Sequence, residues 1–481
     1  MKTILPALGA VLLVSACATS TPRAPTMIGD VVDTPLGSVR GETVTENGVT
    51  AHIYRGIPYA QPPVGDLRWR APEPAEAWEG VRDATGWPNR CPQGESSMGA
   101  GGPISEDCLY VNVVTAAERS DEARPVMVFF HGGGLTSGTG NSTTYNHPML
   151  PNKGVVVVTV NSRLGPIGYM AHPELSDESR YGSGNYGTLD LRASLQWVEE
   201  NIEAFGGDPD NVTIFGESGG GTKTISQMAT PLSDGLFDAA IVESGSALVS
   251  QQRITMLDDA EATGVQLAEA LGASSLEDLR ALSWQEVIAA GEEIGFRANV
   301  VVDGYVIPEP VSTIFANGDQ AQVPLIVGAN QGERSLQTSV PLMANLHSAA
   351  GAPTYVYNFT QLPWGWRQEE GCVAFHGLEL TYIFGAVPTG LHSATTQFLA
   401  GTGGCTTRVP EHDAQDLWLA ERSAEIWASF ARDGDPSVPG LVEWPQYSED
   451  DNVYLDIGVP LEVRENVQGS YVRPNVENPR F

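Results

Sequence analysis

The segment that most constrains the fold lies near the middle of the chain. There an apolar run, Val212-Thr213-Ile214-Phe215, passes into Gly216-Glu217-Ser218-Gly219-Gly220 and then into helix-compatible residues 222–228. A strand that becomes a helix across so few residues needs a very sharp turn, and glycines remove the side chains that would clash there. Such a turn presents one side chain, here Ser218, at the end of a strand. The helix behind it directs the positive end of its dipole toward that side chain. Ser218 is therefore a candidate nucleophile, and the strand–turn–helix step points to an α/β architecture.

The remaining patterning agrees. Residues 126–130, 155–160, 239–242, 324–327 and 354–359 are apolar runs of strand length, as expected for strands buried on both faces. Leu191, Leu195, Val198 and Ile202 stand at helical spacing, and residues 414–430 carry Leu417, Ile426 and Phe430 in a second helical pattern. Residues 257–291 read as helical throughout, with no strand signal. Alternating β and α units predict a mostly parallel central sheet with helices on both faces. Hydrophobic residues at 41% and charged residues at 18% supply a large core. No internal repeat interrupts the chain, so residues 28–481 are expected to form a single domain.

A second glycine cluster, His131-Gly132-Gly133-Gly134, follows the run 126–130. Consecutive glycines let backbone N–H groups face a site unobstructed, which suits the stabilisation of a tetrahedral oxyanion. Gly133, Gly134 and Gly219 are the expected donors. A serine nucleophile also needs a neutral imidazole to take its proton and a carboxylate to orient that imidazole. The chain has eight histidines, so position alone selects none, and Glu333, Glu379 and Asp303 all remain candidate acids.

The N-terminus reads as a targeting segment. Lys2 precedes an apolar run, residues 4–14, that is too short to span a bilayer. Val14-Ser15-Ala16-Cys17 resembles a bacterial lipobox, which implies cleavage before Cys17 and lipid attachment to its sulfur. Ala16-Cys17-Ala18 equally fits an ordinary small-x-small cleavage site. Residues 1–16 are thus expected to be a signal peptide and 17–27 a tether. Either reading exports the protein, to a periplasmic or cell-envelope location with a lipid anchor to the membrane, or as a freely secreted chain. Cys91, Cys108, Cys372 and Cys405 then lie in an oxidising compartment, where two disulfides are expected. Cys91–Cys108 and Cys372–Cys405 close the shortest loops. A net charge of −33 disfavours a nucleic-acid partner and reads as solubility or life in a salty medium. No HExxH, CxxC or Cys/His cluster suggests a metal, and the expected chemistry needs no cofactor.

Longer motifs carry a family resemblance. Arg55-Gly56-Ile57-Pro58-Tyr59-Ala60 with Pro62-Pro63-Val64-Gly65, then Ser105-Glu106-Asp107-Cys108-Leu109-Tyr110-Val111-Asn112, resemble the signatures of the type-B carboxylesterases, which include the cholinesterases. Gly184-Asn185-Tyr186-Gly187 to Asp190, Gln196-Trp197 and Phe205-Gly206-Gly207-Asp208-Pro209 match the run before the nucleophile. The resemblance implies an α/β-hydrolase fold and hydrolysis of small-molecule carboxylic esters through an acyl-enzyme. It also implies the Cys91–Cys108 pairing. In Gly328-Ala329-Asn330-Gln331-Gly332-Glu333 it assigns the acid to Glu333, and in His376-Gly377-Leu378-Glu379 the base to His376. Glu217 and Ser244 match positions near the family's triad, where they either hold hydrogen bonds behind it or are ordinary buried polar groups.

The chain also departs from the family. Only 43 residues separate Glu333 from His376, a contraction that predicts a shallower, more open pocket. Leu135 stands where an aromatic is usual, and the segment between Cys91 and Cys108 holds no Trp for a choline platform. Trp364 and Trp366 either line the pocket, which would favour bulky or aromatic esters, or anchor their own loop.

Overall fold

The computed structural model describes residues 25–46, 48–94, 101–245, 248 and 254–476, so the expected leader and Cys17 lie outside the described residues. Its centre is an eleven-stranded sheet. In chain order the strands are β1 (Glu42–Glu46), β2 (Val49–Pro58), β3 (Tyr110–Thr115), β4 (Arg124–Phe130), β5 (Val156–Val160), β6 (Gly207–Glu217), β7 (Ala239–Glu243), β8 (Leu325–Asn330), β9 (Thr354–Phe359), β10 (Val453–Ile457) and β11 (Glu462–Glu465). Their order across the sheet is β11-β10-β9-β8-β7-β6-β4-β5-β3-β2-β1. From β5 through β10 every neighbouring pair is parallel, while β1, β2, β3 and β11 are antiparallel additions at the two ends.

The apolar runs are continuous because both faces of the sheet are covered. Val126, Val128 and Phe130 of β4 enter one core, and Met127 and Phe129 enter the other, as alternation along a strand requires. Leu191, Leu195 and Val198 of helix α1 (Tyr186–Asn201) pack in the first core. Helix α2 (Gly219–Ala229) adds Ile225 and Met228 to it. The opposite core receives Leu419, Ile426, Trp427 and Phe430 of helix α3 (Ala414–Asp433).

The expected single helical stretch at 257–291 is instead three helices, Leu257–Ala270, Leu276–Ala281 and Trp284–Ile294. Ser275 and Ser283 accept from backbone N–H groups at the starts of the second and third, so side-chain capping divides the stretch. The chain is already held at the end of the expected tether, where the Thr26 N–H donates to Ser120 Oγ at 3.0 Å. Both expected disulfides, Cys91–Cys108 and Cys372–Cys405, are present. No described helix is long and apolar enough to cross a membrane.

Register brings the site together. Phe130 of β4 lies opposite Gly216 of β6, Glu217 lies opposite Glu243 of β7, and Glu243 lies opposite Gly328 of β8. The segments that leave these strand ends therefore emerge side by side at the carboxyl edge of the sheet, the usual place for a site in a parallel α/β fold.

Candidate active site

Ser218 links β6 directly to α2, with φ 59° and ψ −117°. A residue with a side chain rarely adopts this conformation, and the turn is held by the Ser218 N–H donating to the Glu243 carbonyl at 2.8 Å. Close packing of glycines makes room for it. A Cβ at Gly220 would lie 1.9 Å from the Phe130 carbonyl oxygen, so β4 and the first turn of α2 touch through backbone alone. Ser218 itself remains partly exposed and opens into a cavity of about 620 Å³.

Gly132, Gly133 and Gly134 line the same cavity. Gly133 has φ 92° and Gly134 φ 66°, left-handed values that favour glycine. A Cβ at Gly219 would fall 2.5 Å from the Gly134 nitrogen, so the two loops present their donors in close proximity. Among the described residues, the N–H groups of Gly133, Gly134 and Gly219 donate to no other group. These three N–H groups lie close together beside Ser218.

His376 is 6% exposed at the cavity wall. Its Nδ1 lies 2.7 Å from Glu333 Oε2. Glu333 Oε1 accepts from Ser244 Oγ at 2.7 Å and from the Asn330 N–H at 3.0 Å. Burial alone would raise the Glu333 carboxyl, but His376 and these donors hold it below its ordinary value, so it stays ionised. The other candidate acids lie elsewhere: Asp303 accepts from Asn185, and Glu379 accepts from the Asn330 side chain. Ser244 thus sits directly behind the carboxylate. Glu217 lies beside the imidazole, with Oε1 3.1 Å from His376 Nε2, and burial pushes its carboxyl up to about 7.

Two features were not legible in the sequence. Residues 142–145 and 389–399 form much of the cavity wall, and His392, read from the sequence as an ordinary surface or core histidine, is part of it. Much of the wall therefore comes from chain that follows the histidine and not from the segment between Glu333 and His376. Trp364 and Trp366 are absent from the wall. Trp366 packs edge-on against Phe375 and donates Nε1–H to the Thr406 carbonyl at 3.1 Å, so it anchors its loop. Among the described residues no cluster of His, Cys, Asp and Glu is arranged to hold a metal.

Comparison with known proteins places the chain in a family. The model of the carboxylesterase family matches residues 29–341 and 332–473. The para-nitrobenzyl esterase of Bacillus subtilis is 33% identical, over 91% of this chain and 96% of its own length. The fumonisin B1 esterase of Sphingopyxis macrogoltabida is 32% identical, over 92% and 87% respectively. A solved PNB esterase structure superposes with a TM-score of 0.78 at 30% identity, covering 92% of this chain and 99% of its own. The chain belongs to the carboxylesterase family and is a carboxylic ester hydrolase of the α/β-hydrolase fold.

Proposed function

We propose that the protein hydrolyses carboxylic esters with a Ser218–His376–Glu333 triad through an acyl-enzyme. The observation that carries this reading is the 2.7 Å contact of His376 Nδ1 with an ionised Glu333, beside a cavity lined by His376, Ser218, Gly133 and Gly134 and adjoined by Gly219. Glu333 fixes the tautomer that leaves Nε2 unprotonated. Nε2 then takes the Ser218 Oγ proton as Oγ attacks the ester carbonyl, and the oxyanion is received by the N–H groups of Gly133, Gly134 and Gly219. Collapse expels the alcohol, which carries away the proton from His376. Water repeats the sequence, releasing the carboxylic acid and restoring Ser218.

A cavity of about 620 Å³ has room for a bulky ester. The aromatic preference expected from Trp364 and Trp366 has no such support, since neither faces the cavity. Export, with or without a lipid on Cys17, is supported by the two disulfides, which persist in oxidising compartments. The test is hydrolysis of a panel of p-nitrophenyl esters of increasing acyl length, together with a p-nitrobenzyl ester, by wild type and Ser218→Ala. Wild type is expected to turn over and to be labelled stoichiometrically on Ser218 by a serine-directed phosphonate. Turnover by Ser218→Ala at the wild-type rate would sink the assignment.

A further inference from the structure

The reaction sequence above does not use Lys223, yet Lys223 lies directly behind its centre. It stands on the second turn of α2 and is 1% exposed. Among the described residues no carboxylate pairs with it, and burial pushes its amine down to about 7. Its Nζ donates to the His131 carbonyl at 3.1 Å. It also stands 3.4 Å from Nε2 and 3.5 Å from Nδ1 of the His131 ring. Lys223 therefore ties the helix that begins at Ser218 to the strand end that begins the oxyanion loop.

The His131 ring is itself committed. Nδ1–H donates to the Gly132 carbonyl at 2.8 Å, and burial together with Lys223 holds the imidazole far below its ordinary value, in the neutral form. Gly138 closes the ring in, since a Cβ there would lie 2.5 Å from Nδ1. The Gly132 carbonyl and the Gly133 N–H belong to one planar trans peptide and point in opposite directions. Whatever pins that carbonyl also aims that N–H, and a hydrogen bond to the carbonyl polarises the N–H as a donor.

We infer that Lys223 is a positioning residue for the oxyanion site: through His131 it fixes the Gly132–Gly133 peptide plane relative to the Ser218 helix, so that the Gly133 N–H is aimed before the substrate arrives. The inference rests on the assignment of Ser218 as nucleophile. Lys223 does not line the cavity and touches no substrate, so its removal should alter the stabilisation of charge and not the binding of the neutral ester.

The experiment compares Lys223→Met, which keeps the bulk and loses the donor, with Lys223→Gln, which keeps an N–H donor without the charge. Each is assayed for kcat and KM on p-nitrophenyl acetate. Each is also assayed for inhibition by a trifluoromethyl ketone, whose adduct with Ser218 places an oxyanion in the same site. Misaiming one of three donors should lower kcat about tenfold to a hundredfold in Lys223→Met, with KM within about twofold. Ketone affinity should fall by the same factor, and Lys223→Gln should recover to within about threefold of wild type. If the methionine variant does not fold, Lys223→Ala replaces it. The inference is overturned by a folded Met or Ala variant with wild-type kcat, by a kcat loss that leaves ketone affinity intact, or by a Gln variant no better than Met. None of these outcomes touches the nucleophile assignment, which fails only if Ser218→Ala retains turnover.

Discussion

Replacing Glu333 by Gln tests the triad without changing its shape. The amide has two orientations. Glu333 Oε1 accepts from the Asn330 N–H at 3.0 Å, a backbone donor that cannot turn away. Placing the amide NH2 there would oppose two donors in a buried site, at about 1–3 kcal/mol. The amide oxygen is therefore expected to stay with Asn330 and Ser244, leaving its NH2 to face His376 Nδ1 across the present 2.7 Å. Nδ1 must then accept, the proton moves to Nε2, and Nε2 can no longer take the Ser218 proton. The variant also loses the anion that stabilises the imidazolium. Both effects act in the transition state, so kcat should fall by roughly 10³–10⁴-fold, or about 4–5.5 kcal/mol, with KM little changed. The assay is steady-state hydrolysis of p-nitrophenyl acetate, normalised to sites titratable with a phosphonate. A thermal melt within a few degrees of wild type excludes a folding defect. A folded Glu333→Gln enzyme that keeps more than about a tenth of wild-type kcat would refute the tautomer argument.

Two further outcomes follow from the same geometry. Relief of the backbone strain at φ 59°, ψ −117° is worth about 1–3 kcal/mol, against about 0.5–1 kcal/mol for the added freedom of glycine in the unfolded chain. Ser218→Gly should thus be inactive yet about 1 kcal/mol more stable in urea unfolding, and a loss of stability would show that the turn is unstrained. Glu333 sits below its ordinary value of 4.5, so the stability it contributes is full above that pH and is lost only as the pH falls through its lowered value; the acid limb of activity therefore belongs to His376 together with Glu217, which burial pushes up to about 7. Glu217 Oε1 is 3.1 Å from His376 Nε2 and when ionised favours the imidazolium. Glu217→Gln should therefore move the acid limb of kcat/KM to lower pH by about half a unit to one unit, and an unmoved or upward-shifted limb would exclude that coupling.

How much of this was legible in sequence depended on how local the signal was. The runs at 126–130, 239–242 and 354–359 announced their strands because burial on both faces leaves no polar alternation to hide them. The antiparallel additions gave no comparable signal. β11 reads Glu-Val-Arg-Glu and is exposed along its whole length, and β2 bends through a register shift between Tyr54 and Ile57. Ser218 and the glycines at 132–134 were readable because a turn and its glycines sit within a few residues. Glu333 and His376 were not readable from spacing, since three acids and eight histidines were equally eligible; family resemblance chose them, and the structure puts them in contact. Lys223 lay in a stretch that only looked helical, and its partner His131 is 92 residues away. The cavity wall at 389–399 likewise depends on where the chain after the histidine folds back, which no local pattern encodes.

Four glutamates, Glu217, Glu243, Glu333 and Glu379, are buried beneath the site, and only Glu333 is held below its ordinary value. Burial raises Glu243 to about 8 and, with the neighbouring carboxylates, Glu379 well above its ordinary value. This ordering suits the chemistry. The reaction creates an imidazolium and an oxyanion together, and each additional buried negative charge nearby would oppose the oxyanion. Glu333 balances His376, and a neutral Glu379 adds no such penalty. If Glu379 is already protonated at pH 7, Glu379→Gln changes neither its charge nor its role as acceptor for the Asn330 side chain. It should keep kcat within about threefold of wild type, whereas the chemically identical change at Glu333 removes nearly all of it. A loss of more than about a hundredfold in a folded Glu379→Gln enzyme would mean that the second carboxyl is ionised as well, and that the site tolerates more buried negative charge than its burial allows.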